Sequence, residues 1–332
     1  MKDLDDLSKS FPLPPGWKIS EIVINTKNIY GFRIPLTGLV AQHSDGDEAI
    51  GSAAGFSCNS RAYFELCERI AITEAIKYNT SVSLVNSNGE LIRPVSYNDF
   101  LPQNDPNASW VYAKSNGVAL NKSLSGAMSS ARCELIERDS ILLSWYGYTL
   151  PYAQARVESN YSYLFKTVRG SLLDHYNIQV YEFPVRRKGS VYGVFCFPLD
   201  NVHPLTYGFG GSEGAHTAIM RACREAIQRL GFLWGEEIPT EKPIPAKNPF
   251  FHQDFYLYPE NHFLIKNWLA GESYSQRDFP QKTKKLNYLN LTSVHFSKLG
   301  LKIIQAVPDD EFVLKFGIQD EFIEKMQVHP IV

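Results

Sequence analysis

Three segments of the chain carry acidic and basic side chains in one repeated order. Glu65, Glu68 and Arg69 stand as Glu-x-x-Glu-Arg in "YFELCERIAI". Glu134, Glu137 and Arg138 repeat the order in "ARCELIERDSILLSW". A weakened third copy, "CREAIQRLGF", carries Glu225, Gln228 and Arg229. On a helix, residues three apart are neighbours on one face, so each pair of acids projects side by side. Two such pairs brought together repel strongly unless cations lie between them. Hard divalent cations with oxygen ligands answer that need, and Mg2+ favours carboxylates together with waters and phosphate oxygens. Arg69 and Arg138 follow at once, and a planar guanidinium fork suits phosphate. Arg221 and Arg224 add two more guanidinium groups on the third segment.

A single copy of this pattern is ordinary for a solvated helix face, because Glu and Arg are good helix formers. Two near-identical copies, each following a glycine-bearing stretch, point instead to a shared site. The glycine stretches "SAAGF", "SNGVAL" and "GFGGSEG" match neither a Walker A loop nor a dinucleotide fingerprint. They read as turns that lead into helix N-termini, where anionic groups can sit. The histidines are scattered without metal-ligand spacing, and no Gly-x-Ser-x-Gly elbow supports a hydrolase triad.

The elements that must position these residues follow from pattern. Met1 to Trp17 reads as an irregular arm, and "NIYGFRIPLTGLVAQ" as one or two short strands. "SDGDEAIGSAAGFSC" reads as a loop, with Asn59 or Ser60 capping a helix that runs to about Lys77. "SVSLVNSNGELIRPVS" predicts a hairpin around Asn-Gly. A second loop, "KSNGVALNKSLSG", leads to a helix from about Ala127 to Trp145 capped by Ser123 or Ser125. Tyr161, Leu164, Val168 and Leu172 share a face of a helix expected near Val157 to Tyr176. Two strands, "NIQVYEFPV" and "SVYGVFCFPL", precede a third loop, "YGFGGSEGAHT", and a helix from about Ala215 to Trp234. Four prolines make 236–256 a surface connection, and "FFHQDFYLY" (Phe250 to Tyr258) reads as core or lid. A strand at "KIIQAV", a short helix near "QDEFIEKM" and an extended "QVHPIV" complete the chain.

Composition sets the bounds. With 332 residues, 44% of them hydrophobic, the chain can bury a substantial core. A net charge of -2 leaves no basic excess for nucleic acid or an anionic membrane. No stretch approaches the length of a membrane span, and charges stand where a signal peptide needs an apolar run. The expectation is a cytoplasmic protein. Its 5 cysteines, odd in number and without Cys-x-x-Cys, give neither a disulfide framework nor a zinc knuckle.

The segments "SAAGFSCNSRAYFELCER", "SNGVALNKSLSGAMSSARCELIERDSILLSW" and "GFGGSEGAHTAIMRACREAIQRLG" resemble the YcaO family in order and spacing, over roughly Gly51 to Leu230. "SAAG" before the first helix is closest to the cyclodehydratase subunit of microcin-type azole synthetases. The resemblance implies a single α/β (α+β) domain over 1–332, with 1–50 as an N-terminal arm and first strands. Antiparallel-rich sheets flanked by helices would surround a central nucleotide pocket. It also implies ATP and Mg2+ as cofactors and activation of peptide backbone amides. In the commonest branch a Cys, Ser or Thr side chain attacks the preceding carbonyl, and the oxygen leaves as phosphate. An azoline ring remains.

Position by position, the resemblance makes Glu65, Glu68, Glu134 and Glu137 the metal carboxylates. Glu65, Arg69, Ser115, Asn116, Lys122, Arg138, Arg221, Glu225 and Gln228 become nucleotide-binding residues. Arg221 would meet the phosphates and is a catalytic candidate. The family often carries an acid where Gly126 stands and a serine where Ala119 stands; Lys122 lies nearby and could touch phosphate. Ring formers often end in a Pro-x-Pro-x-Pro tail that reaches the site; this chain ends "HPIV", which makes His329 and the Val332 carboxylate the corresponding candidates. Expected partners are a precursor peptide, a protein resembling ubiquitin-activating enzymes and a flavin dehydrogenase. Two other readings stay open: thioamide or amidine formation, and a catalytically silent scaffold that binds peptide or partner.

Overall fold

The computed structural model describes residues 2–78, 80–100, 104–154, 160–200, 202–272, 285–309, 311–319 and 328–331. The chain opens with a helix, α1 (Lys2–Ser10), where an irregular arm was expected. Leu4 is buried in the core, so a tertiary contact holds this short polar helix in place. Strands β1 (Trp17–Ile29), β2 (Phe32–His43) and β3 (Glu48–Ala54) form an antiparallel sheet in that order. Helix α2 (Cys58–Lys77) follows. Neither expected residue caps it: Ser57 precedes it in a left-handed conformation, and Asn59 accepts the hydroxyl of Thr37 instead.

The predicted hairpin is present as β4 (Ser81–Val85) and β5 (Leu91–Ser96). A short β6 (Trp110–Tyr112) and then β7 (Val118–Asn121) lead to α3 (Leu124–Trp145), capped by Ser123 through the amide of Gly126. After β8 (Tyr152–Ala153) residues 155–159 lie outside the described residues; of the helix expected near Val157 to Tyr176, residues 160–161 are helical and no α-helix continues from 162 to 175. From 162 to 175 the chain makes 3-10 turns and two two-residue strands, β9 (Lys166–Thr167) and β10 (Gly170–Ser171). This segment wraps the β1–β2 turn: a side chain at Gly31 would strike Thr167, Arg169 and Gly170. Val168, placed on the buried face by periodicity, is fully exposed.

Strands β11 (Tyr176–Phe183), β12 (Ser190–Pro198) and β13 (Thr206–Ser212) then run as a meander, with β8 on the far side of β11. Helix α4 (Ala215–Leu233) returns across β13. The proline-rich connection ends earlier than expected. Pro249 opens helix α5 (Pro249–Leu257), capped by Asn248, because proline is compatible with a first helical turn. Phe251, Phe255 and Tyr256 of α5 are buried core residues. Helix α6 (His262–Leu269), β14 (Tyr288–Asn290), α7 (Val294–Lys298), β15 (Lys302–Ala306) and β16 (Lys315–Gly317) complete the elements. The helix expected near "QDEFIEKM" lies outside the described residues apart from Gln319.

Three sheets matter for the site. Their orders are β1-β2-β3, β5-β4-β14-β15-β7 and β13-β12-β11-β8, with every described pairing antiparallel. Each ends on one open edge in the strand that leads into a signature helix: β3 before α2, β7 before α3, β13 before α4. All three strands lie in stretches expected to be loops. Their glycines serve close packing rather than turning. A Cβ at Gly51 would lie 2.1 Å from the carbonyl of Ala62 on α2, and one at Gly210 would lie 2.1 Å from that of Ala218 on α4.

Candidate active site

Each signature helix packs on the strand before it and also touches the strand of the next unit. Helix α2 lies on β3 and meets β7; α3 lies on β7 and meets β13; α4 lies on β13 and meets β3. The three units therefore close into a ring.

The repeated acids are the joints of that ring. Glu65 accepts the Ser52 amide of its own β3 at 3.1 Å, and Glu68 accepts the Leu120 amide of the next strand, β7, at 2.6 Å. Glu134 accepts the amide of Gly117, beside its own β7, and Glu137 accepts the Gly211 amide of β13 at 2.5 Å. Glu225 accepts the amide of Phe209 on its own β13. Gln228, in the second acid's place, accepts Arg61 of α2 at 2.7 Å. An open sheet edge presents N–H groups that need acceptors, and carboxylates supply them. Arginines take the carbonyls: Arg138 donates to Ser115 O at 3.3 Å, Arg221 to Gly211 O at 2.7 Å, and Arg61 to Ala54 O at 3.2 Å.

The acids also crowd one another. Burial pushes Glu68 up to about 8, and Glu134 adds to the shift. Burial raises Glu137 to about 7, with Glu134 reinforcing it and Arg138 opposing it. Glu225 reaches about 8 through burial and the nearby Glu137. Glu134 is raised by burial and by Glu65, against the pull of Arg138 and Arg69. Glu134 still keeps 27% of its side chain open to solvent. Arg138 pairs with Glu134 at 2.7 Å and Arg69 with Glu65 at 3.3 Å, four residues apart in each case. Arg138 also donates to Asn116 Oδ1 at 3.2 Å, while the buried Asn116 Nδ2 has no hydrogen-bond partner.

The structure thus brings together Glu65, Glu68, Arg69, Ser115, Asn116, Glu134, Glu137, Arg138, Arg221, Glu225 and Gln228. Lys122 instead stands over the ring of Phe11, 5.9 Å from its centre. His329 is buried against His252, with ring centres 4.4 Å apart, and its Nε2 meets the carbonyl of Lys315 at 2.5 Å. Val332 lies outside the described residues. Arg61 was missed by the sequence reading, although a signal existed: it precedes Glu65 by four residues, as Arg221 precedes Glu225.

Among the described residues no three His, Cys, Asp or Glu side chains form a ready metal cage. Mg2+ requires none, since it takes one or two carboxylates and completes its shell with water and phosphate. The carboxylates' raised proton affinity is the property a divalent cation would relieve, so the residues fit Mg2+ and a polyphosphate. A cavity of about 720 Å3 flanks α3 on the side of Leu124, Met128 and Arg132, and none of the ring carboxylates lines it. Among the described residues no helix is long and apolar enough to cross a membrane.

Residues 67–286 match the family model described as YcaO cyclodehydratase, ATP- and Mg2+-binding. No curated protein matches the chain in sequence. Among solved structures, a YcaO from Methanopyrus kandleri bound with AMPPCP and Mg2+ aligns with a TM-score of 0.54 and 16% identity, over 92% of this chain and 87% of that one. A heterocyclase in complex with substrate and cofactor aligns at 0.56 and 14% identity, over 94% of this chain but 54% of that one. A chain of the E. coli microcin synthetase McbBCD complex aligns at 0.52 and 11% identity, over 94% and 96%. At these identities the likeness is one of fold.

Proposed function

The chain belongs to the YcaO family, and on that premise we propose that it is a peptide cyclodehydratase closing Cys, Ser or Thr residues of a ribosomally made precursor into thiazoline or oxazoline rings. Its cofactors are ATP and Mg2+. ATP supplies the phosphoryl group that turns an amide oxygen into a good leaving group, and Mg2+ offsets the charge that moves with it. In this reading Glu65, Glu68, Glu134 and Glu137 hold the metal ions. Arg69, Arg138 and Arg221 hold phosphate oxygens, with Arg221 closest to the transferred group. Ser115, Asn116, Glu225 and Gln228 frame the nucleotide. Lys122 would have to leave Phe11 to take part.

The observation that carries the proposal is the crowding of carboxylates from three helices, with guanidinium groups among them. A surface decoration would hold its acids at their ordinary pKa values; these are held above them. The precursor peptide is the expected substrate. A protein resembling ubiquitin-activating enzymes is the proposed recognition partner, and a flavin dehydrogenase the proposed oxidant of the finished ring.

The test is mass spectrometry of a candidate precursor incubated with the protein, its partner, ATP and Mg2+. Ring formation removes one water per modified Cys, Ser or Thr, and replacing that residue by Ala abolishes the loss. Exchange of oxygen for sulfur would assign thioamide formation instead. A water loss that survives the Ala replacement would assign an amidine. A chain that binds no nucleotide at all would be the scaffold.

A further inference from the structure

Strand β1 is the outer strand of its sheet, and among the described residues it pairs with β2 alone. Its middle is exposed on both faces: Ile22, Val23 and Ile24 keep 49%, 52% and 46% of their surface. Successive strand residues point to opposite faces, so consecutive exposed β-branched residues mean that neither face is covered. An exposed, apolar edge of this length is a template for another strand.

The direction of its free backbone groups can be read from the turn. Tyr30 and Gly31 have φ of 45° and 85° and form a two-residue turn between Ile29 and Phe32. Such a turn makes its flanking residues a hydrogen-bonded pair, so the odd-numbered residues of β1 bond to β2 and the even-numbered ones face outward. Thr26 agrees: its amide turns to Asn25 Oδ1 at 2.7 Å. The outward groups past the irregularity at Ile19/Glu21 are those of Ile22, Ile24, Thr26 and Asn28.

We propose that β1 pairs antiparallel with β1 of a second copy of this chain, across a two-fold axis at Ile24, making one six-stranded sheet from two three-stranded ones. In that register Ile24 faces its own copy, Ile22 opposes Thr26, and Glu21 opposes Lys27. Among two-fold registers centred between Ile22 and Thr26, only this one sets opposite charges against each other. Glu21 and Lys27 then occupy a non-hydrogen-bonded pair, where side chains come closest. The pairing leaves β3, the opposite edge, free to face the carboxylate ring of its own copy.

Multi-angle light scattering on the full chain across a concentration series tests this. The expected result is a dimer at high concentration that dissociates on dilution. Ile24→Pro removes an outward amide that β2 does not use, so the fold, followed by circular dichroism, tolerates it. We expect it to raise the dimer dissociation constant at least about tenfold, from the loss of the central hydrogen bonds. Glu21→Lys should weaken the dimer, and adding Lys27→Glu should restore it. A chain monomeric at every concentration overturns the proposal. So does a dimer indifferent to Ile24→Pro, or one that the charge exchange fails to rescue.

Discussion

Arg61 of α2 donates a 2.7 Å hydrogen bond to Oε1 of Gln228 on α4. The bond closes the ring. Glu68 joins the first unit to the second and Glu137 joins the second to the third, each by accepting an amide from the next open strand. At the last joint the acid is replaced by an amide, and a guanidinium from the first helix meets it. The repeated signature therefore has two duties. It finishes the open edges of three sheets, and it gathers charge where those edges meet.

The closing bond should be measurable as a coupling. Gln228→Ala is expected to cost about 1 kcal/mol, the net worth of one such hydrogen bond, and Arg61→Ala, which also loses the bond to Ala54 O, more than that. The double variant should cost little more than Arg61→Ala alone. Urea melts of the four proteins give the interaction energy directly. Strict additivity would show that the two side chains are neighbours without being partners.

Nucleotide binding should depend on the acids that face each other. Added ATP and Mg2+ stabilise the folded chain by mass action, because a ligand that binds only the native state raises the melting temperature. Glu134→Gln keeps the side chain's shape and its acceptor for Gly117, so the fold should survive. The ligand-induced shift should disappear in that variant, while Glu213→Gln, a member of the surface pair with Arg132, should retain it. A full shift in Glu134→Gln would remove this carboxylate from the metal site.

Much of the site was legible because its residue types repeat at helical spacing. The three signature helices and the acids on them are where the pattern placed them. The acids' partners were not legible, because a backbone amide has no letter of its own. The strands supplying those amides were misread for a related reason. Glycine serves both a turn and a close approach between strand and helix, and Gly51, Gly208 and Gly210 do the second. Periodicity misled between Leu164 and Leu172, where a helical repeat of apolar residues is spent on wrapping the Tyr30–Gly31 turn. The ion pair of Asp139 with Arg186 also lay hidden, although Asp139 directly follows the second signature.

Gly210→Ala places a methyl group 2.1 Å from the Ala218 carbonyl and 2.7 Å from the Ala222 amide, so β13 or α4 must move. The expected cost is about 1–3 kcal/mol, a loss of several degrees in melting temperature for a chain of this size. Gly38→Ala is the control, since its Cβ would meet Val23 at an ordinary 3.7 Å. Thermal melts of the two variants should differ clearly. Equal melting temperatures would mean that β13 does not need glycine.

The raised carboxylates predict how pH acts with and without metal. Glu68 is pushed up to about 8 and Glu137 to about 7, against an ordinary 4.5. Between the ordinary value and the raised one, the folded chain holds protons that the unfolded chain has released. Stability then falls as pH rises, because slope follows the difference in bound protons. The metal-free protein should melt highest near pH 5 and lose stability progressively through pH 8. Mg2+ with nucleotide reverses the sign, because a carboxylate must shed its proton to bind a cation. Binding should release protons near pH 7, seen in calorimetry as a heat that changes with the buffer's own ionisation heat. The stabilisation conferred by Mg2+ and ATP should grow from pH 6 to pH 8. Binding heats that ignore the buffer, together with a metal-free melting temperature that climbs over this range, would show that the carboxylates are already ionised before the metal arrives.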